Sequence, residues 1–298
     1  MTIKVKLGIY NLKVITKEFI AILQLNKMTK IGFCIFTFIL LLAVLADYIA
    51  PYNPYERVGP PLSPPSMKYM LGTNDIGQDI LSELIYGART SLLIGFTAAI
   101  VGTIIGVLIG LASGYFGGIV DEVLMRLTDA WLSIPTLLFT IFLVALTSRI
   151  TLFPTIYSII IAISLTSWPG TARLVRSRVL SIKESPYIES AIAIGASSTR
   201  IMFKHILPNV IPIIVVTIIM TTARAILVEA SLGFLGLGDP TVKSWGMMIH
   251  YAMKRNAIIL GMWWWFIPPG ILISLLILSI YLIGIGLEEY YNPRLRHI

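Results

Sequence analysis

The chain has 298 residues, of which 56% are apolar and 13% charged, and its mean hydropathy of +0.85 lies far from the makeup of a soluble domain. A formal charge of +8 would suit a nucleic-acid binder, but the basic residues alternate with long apolar runs, so they follow membrane topology and nucleic acid is excluded as a partner. The single Cys34 excludes an intrachain disulfide, and His205, His250 and His297 form no cluster with metal-ligand spacing, so no metal is expected.

Residues 1–30 carry Lys4, Lys6, Lys13, Lys17, Lys27 and Lys30 along a mildly amphipathic stretch, which reads as an N-terminal tail without a cleavable signal. A first transmembrane helix is predicted over 31–50, with Cys34 as a small buried hydrophobe. Residues 51–90 follow as an external segment. Pro51, Pro54, Pro60, Pro61, Pro64 and Pro65 predict an extended arm, and Ile76, Ile80, Leu81, Leu84 and Ile85 on one face predict a short amphipathic helix on the membrane surface or on a partner. Residues 91–287 then read as a membrane core with five helices: Ser91 to Gly114, Ala130 to Thr147, Leu152 to Trp168, Asn209 to about Leu235, and Phe266 to Leu287. A polar loop of about 170–208 interrupts this core, and 288–298 form a C-terminal tail. The fold class is therefore all-α, a polytopic membrane protein with six transmembrane helices. Fifteen Lys and Arg fall on the side of the termini and that loop, against seven on the other, which puts the loop and both termini in the cytoplasm of a cell whose plasma membrane the chain crosses.

Within the second span, Ala98, Gly102, Gly106, Gly110 and Gly114 recur every four residues and lay a smooth strip along one helix face, suited to close helix packing or to a groove. Asp129, Arg224 and Glu229 are the ionisable side chains near membrane depth, where a charge usually faces a partner or water, so they are candidates for a translocation path. Asp129 stands three residues after Arg126, a spacing that allows a helix-surface ion pair. Arg224 and Glu229 point about 140° apart, which argues against a direct pair. Gly233, Gly236 and Gly238 break the end of the fifth span, and Trp263, Trp264 and Trp265 predict an outer aromatic belt or, less blandly, a stacking platform.

The inner loop is the most informative part. Ser185-Pro186 can start one short helix, Ser197 or Ser198 can start another, and Gly195 can supply a sharp joint between them. The pattern Glu189-Ser190-Ala191, then Gly195, then His205-Ile206-Leu207-Pro208 resembles the cytoplasmic EAA loop of ABC importer permeases. The likeness extends to Gly72-Thr73, Tyr86-Gly87-Ala88-Arg89, Ser167-Trp168-Pro169-Gly170, Glu229-Ala230-Ser231-Leu232 and Phe234-Leu235-Gly236-Leu237-Gly238. Over roughly 70–296 the chain is similar to the dipeptide, oligopeptide and nickel permease family.

That resemblance implies a type I ABC importer permease fold. It also implies a second homologous permease, two ATP-binding cassette subunits, an extracellular solute-binding protein, and a short peptide or related solute as cargo. By the same resemblance, Glu189 anchors the loop while Ser190, Ala191, Gly195 and Ala196 form the surface seated in the ATPase. ATP and Mg would be bound by those partners and no cofactor by this chain, which has no G-x-x-x-x-G-K-[ST] phosphate loop. Asn74, Gln78 and Glu83 depart from the family pattern, which leaves any charge pairing at that place open. Ser190 replaces a usual alanine, and His205 reads as a packed or interfacial residue. Two other classes are weighed. An ion-gradient-driven secondary transporter would use Asp129, Arg224 and Glu229 for coupling, and a membrane enzyme would need catalytic pairings that the sequence lacks.

Overall fold

Apolar runs bounded by a capping side chain or a proline set the helices of this protein. The computed structural model describes residues 26–147 and 155–291. The predicted tail up to residue 25, Arg149, the start of the fourth span at 152–154, and residues 292–298 with His297 lie outside them. Asn26 caps α1 (Lys27–Val44) by accepting from the Met28 N–H at 2.9 Å, and a one-turn α2 (Ala46–Ile49) follows. Asp79 caps α3 (Ile80–Phe116) by accepting from the Ser82 N–H at 2.8 Å. Then come α4 (Gly118–Leu132) and α5 (Thr136–Thr147), bent by 91° at the break that contains Pro135, and α6 (Thr155–Lys183). Short helices α7 (Pro186–Ala193) and α8 (Ser198–Arg200) lead through a π-helical stretch (Ile201–Ile206) into α9 (Leu207–Phe234). Pro208 and Pro212 remove two backbone donors where this passage ends. Finally α10 (Trp245–Lys254) precedes α11 (Trp263–Tyr291).

Five of these helices are long and apolar enough to cross a membrane, and the bent pair α4–α5 passes the same test jointly. The seam between α3 and α6 supplies an independent count. Gly102 faces Ser167, Gly106 faces Thr171, Gly110 faces Val175 and Gly114 faces Val179. The sequence offset stays the same down the seam, so α3 and α6 run parallel. The chain between them must therefore cross back, and α4–α5 is the element that does so, giving six spans. This corrects the third predicted span, which is a bent pair rather than a straight helix from Ala130 to Thr147; α5 alone, at 12 residues, extends only about 18 Å.

Along that seam a Cβ on Gly106 would lie 2.6 Å from the Trp168 carbonyl, and one on Gly110 would lie 2.6 Å from the Ala172 carbonyl. Ala98 is fully buried at the same interface, where its carbonyl accepts from Ser164 Oγ at 3.3 Å. At the other end of α3, α10 packs beneath it and α9. Trp245 is fully buried and its Nε1 donates to the Leu84 carbonyl at 2.8 Å, while Gly246 backs onto the Ala230 backbone.

Several expectations are revised. The residues that were to form a separate amphipathic helix join α3, with Ile76 left exposed in the turn before it. The proline-rich arm is folded rather than extended: Val58 donates to Gly77, Leu62 to Asn74 and Thr73 to Ser63 at 2.9–3.0 Å, which closes it against the start of α3. Cys34 is exposed on α1 rather than buried. The tryptophan belt shrinks, because Trp265 is 1% exposed inside the main core with Ile80, Leu84 and Ile226, and Trp263 is the one left 53% exposed.

Candidate functional site

Helices α6, α9 and the end of α11 wall a cavity of about 870 Å³. Ser167, Thr171, Leu174 and Arg178 recur at three- or four-residue steps on α6, and Asn209, Ile213, Thr217 and Arg224 line the facing side of α9. Glu288 and Tyr291 of α11 complete the wall, and Ser185 and Tyr187 reach it from the loop. The lining carries polar side chains on helices that are otherwise apolar, and hydroxyls such as those of Ser167 and Thr217 donate to carbonyls of their own helix. At the mouth, Asn209 Nδ2 donates to the His205 carbonyl at 2.6 Å and to the Tyr187 hydroxyl at 3.2 Å. His205 is half-buried there on the π-helical stretch.

Of the three ionisable candidates, only Arg224 lines this cavity. Asp129 pairs with Arg173 of α6, whereas Arg126 pairs with Glu122 one turn before it, so the predicted Arg126–Asp129 pair does not form. Beside them Arg176 holds Asp121 through two bonds of 2.5 Å, and Ser113 donates to the same carboxylate, so α4 is clamped onto α6. Glu229 is 3% exposed and accepts from Ser91 Oγ at 3.0 Å, which ties α9 to α3 away from this cavity. Arg178, Arg224 and Glu288 are exposed to the cavity, and none of them belongs to the six ion pairs formed among the described residues.

Below the cavity, α7 ends in a Schellman turn. Gly195 at φ +79° donates to the Ile192 carbonyl at 2.9 Å and Ala196 donates to the Ala191 carbonyl at 3.1 Å. No atom lies within 4 Å of a Cβ built on Gly195, so glycine is needed there for its backbone angle, not for space. Pro186 occupies the first turn of α7, but Ser185 donates to the Ile182 carbonyl instead of capping, and Ser197 makes no capping bond. Ile188 turns inward against Val179, Ile201, Met202 and Ile206, and Ala191 is buried beside it. Ala191, expected on the partner-facing surface, is thus 7% exposed and packs on its own subunit, as Ala196 does in part. Glu189, Ser190, Ile192, Ile194 and Gly195 form the outward face, with Ile194 85% exposed. The two isoleucines were not singled out in the sequence; their place between Ala191 and Gly195 was the available signal.

A second cluster joins three residues that the sequence singled out to one that it did not, Lys243. Lys243 Nζ donates to Glu83 Oε1 at 2.5 Å and to Gln78 Oε1 at 2.7 Å, and Asn74 Nδ2 donates to both of those oxygens at 2.9–3.0 Å. The departures at Asn74, Gln78 and Glu83 therefore share one half-buried cation, supplied by a residue 160 positions away from Glu83. This network fastens the folded arm and α3 to the segment before α10.

Helices of spanning length, a polar cavity walled by three of them and an exposed bent turn at its rim define a polytopic solute-transport subunit. The comparisons with known proteins agree. The family model described as binding-protein-dependent transport system inner membrane component matches residues 102–297, and the N-terminal TM domain of oligopeptide transport permease C matches 16–65. The chain belongs to the binding-protein-dependent transport system inner membrane component family. It is 35% identical over 92% of its length, and 84% of the relative's, to the dipeptide transport system permease protein DppC of Bacillus subtilis. It is 36% identical over 94% of its length, and 95% of the relative's, to the DppC of Haemophilus influenzae. The oligopeptide transport system permease protein OppC of Bacillus subtilis is 35% identical over 91% of this chain and 87% of its own. A chain of the inward-facing MetNI methionine ABC transporter shows a weaker likeness, at 20% identity and a TM-score of 0.48 over 65% of this chain and 96% of that one.

Proposed function

We propose that this chain is one permease half of an ATP-driven importer of short peptides or related solutes, seated in the plasma membrane with both termini and the α7–α8 elbow in the cytoplasm. The observation that carries the proposal is the continuity between cavity and elbow, in a chain of this family. Ser185 and Tyr187, which begin the elbow, also line the cavity, and Ile188 packs beneath α6, so one rigid piece joins the polar wall to the exposed turn. A second, homologous permease closes the open side of the cavity. Two ATP-binding cassette subunits grip Glu189, Ser190, Ile192, Ile194 and Gly195. An extracellular binding protein delivers cargo on the side of the folded arm and α10.

In this reading the chain is not an enzyme: ATP and Mg are bound and turned over in the partner subunits. ATP favours one arrangement of the two permeases and its hydrolysis products favour the other, each through its differential affinity for the two states. The elbow passes that preference to α6 and α9, which flank the cavity. The relatives' names, which speak of dipeptide and oligopeptide transport, support peptides as the cargo class.

The test is reconstitution of the complete assembly in liposomes with dialanine as cargo. Uptake is expected to need ATP, the cassette subunits and the binding protein, and to survive collapse of ion gradients. Uptake that persists without the cassette subunits or stops with the gradient ends the proposal. Gly195→Pro, which cannot adopt φ +79° and loses a donor, is expected to leave the membrane helices intact while abolishing cargo-stimulated ATP hydrolysis. Ile194→Ser, a surface change of small folding consequence, should weaken capture of the cassette subunits in the same assay.

A further inference from the structure

The cavity contains separated charges of opposite sign. Arg224 lies on α9 and Glu288 on α11, both line the same 870 Å³ space, and neither forms an ion pair among the described residues. Their spacing follows from the helix contacts. A Cβ on Gly284 would meet Met220, and Ile283 and Leu287 pack with Val216 and Ile219, so these helices are in register at that level. Helix α10 touches both the end of α9 and the start of α11, so the two long helices run in opposite directions. Arg224 lies four residues beyond Met220 and Glu288 four residues beyond Gly284, each about 6 Å along its own axis and on opposite sides of that level. The two backbone positions are therefore about 12 Å apart along the helix axes, with both side chains leaning toward the level between them.

An extended peptide of two to four residues spans about 7–14 Å at 3.3–3.6 Å per residue. Its free ends carry a carboxylate and an ammonium, the charges that a guanidinium and a carboxylate bind best. We infer that Arg224 and Glu288 are the two poles of a subsite for short zwitterionic peptides, with the solute carboxylate held toward the α10 end of the cavity and its amine toward the elbow. The inference rests on the importer reading given above and adds the orientation of the cargo, its length limit and Glu288 as a specificity residue. Arg224, within the apolar run of α9, is costly to leave unpaired unless water or a ligand meets it, which is the state this cavity provides.

The test uses the purified complete assembly without its binding protein, so that selection by that subunit does not intervene. Saturation-transfer NMR would follow dialanine, N-acetyl-dialanine and dialanine amide on the wild type and on the variants Arg224→Leu, Arg224→Lys and Glu288→Gln. Dialanine is expected to bind the wild type and to lose about 10-fold in affinity in Arg224→Leu and in Glu288→Gln, with Arg224→Lys close to wild type. Dialanine amide should be insensitive to Arg224→Leu and N-acetyl-dialanine insensitive to Glu288→Gln. ATP-dependent dialanine uptake by the wild type alongside unchanged dialanine binding in both charge-removing variants would overturn this inference and leave the importer reading standing. Absence of ATP-dependent uptake by the wild type would overturn both. An assembly that fails to form with Arg224→Leu but forms with Arg224→Lys and binds all three probes equally would also overturn the inference, because that pattern assigns Arg224 to structure.

Discussion

The two faces of α6 show opposite ways of treating polar and small residues in a membrane helix. On the face toward α3, glycines bring backbone within contact of backbone, and the charges nearby are matched: Arg176 with Asp121 and Arg173 with Asp129. On the side toward the cavity, Arg178 is exposed to an 870 Å³ space and belongs to no ion pair among the described residues. Toward α3 these charges have protein partners and space is filled to contact distance; toward the cavity, Arg178, Arg224 and Glu288 have no ion-pair partner among the described residues. A similar contrast separates Glu83, satisfied by Lys243 and Asn74, from Glu288, which has no ion-pair partner among the described residues.

This contrast can be broken from the rigid side. The largest effect on folding is expected for Lys243→Met, which leaves the Glu83 carboxylate, 4% exposed, without its cation; the cost should be about 3–5 kcal/mol. Thermal unfolding of the purified protein measures it, and adding Glu83→Gln should restore much of the loss. Next comes Gly110→Ala, whose new Cβ would press on the Ala172 carbonyl and the Val175 side chain, at about 1–3 kcal/mol by the same measurement. Because the obstruction is backbone, relief by side-chain movement is limited. The smallest effect is expected for Asp129→Asn. Its ion pair with Arg173 is more than half exposed on both sides, so about 0–1 kcal/mol of stability should change and transport should be retained. A severe transport defect in Asp129→Asn at normal stability would return that residue to the path and blur the division between the two faces.

Much of the architecture was legible because its signals are local. Runs of about 20 apolar residues mark spans, and the four-residue glycine period marks a seam, in each case without knowledge of what lies opposite. The joint at Gly195 was legible for the same reason, since the need for a left-handed residue belongs to the turn itself. What was missed depends on distant partners. Nothing near Lys243 in sequence announces Glu83. The choice of Arg126 between Glu122 and Asp129 was settled by Arg173 on another helix. Proline content predicted an extended arm, but Val58, Leu62 and Thr73 keep their N–H groups and fold it. The tryptophan triplet was read as one belt although neighbours on a helix point about 100° apart, so the three could not all face the same surroundings. Glu288 was passed over because a charge near a helix end reads as ordinary, and its place on the cavity wall depends on helices distant in sequence.

Helices α3 and α6 touch through main chain from Gly102 to Gly114, and the elbow leaves directly from the end of α6. Side chains can bend or swivel under load, but main chain held against main chain gives little. A shove on the turn at Gly195 is thus carried by a doubled beam rather than a single rod, and whatever moves the elbow must carry α3 along with it.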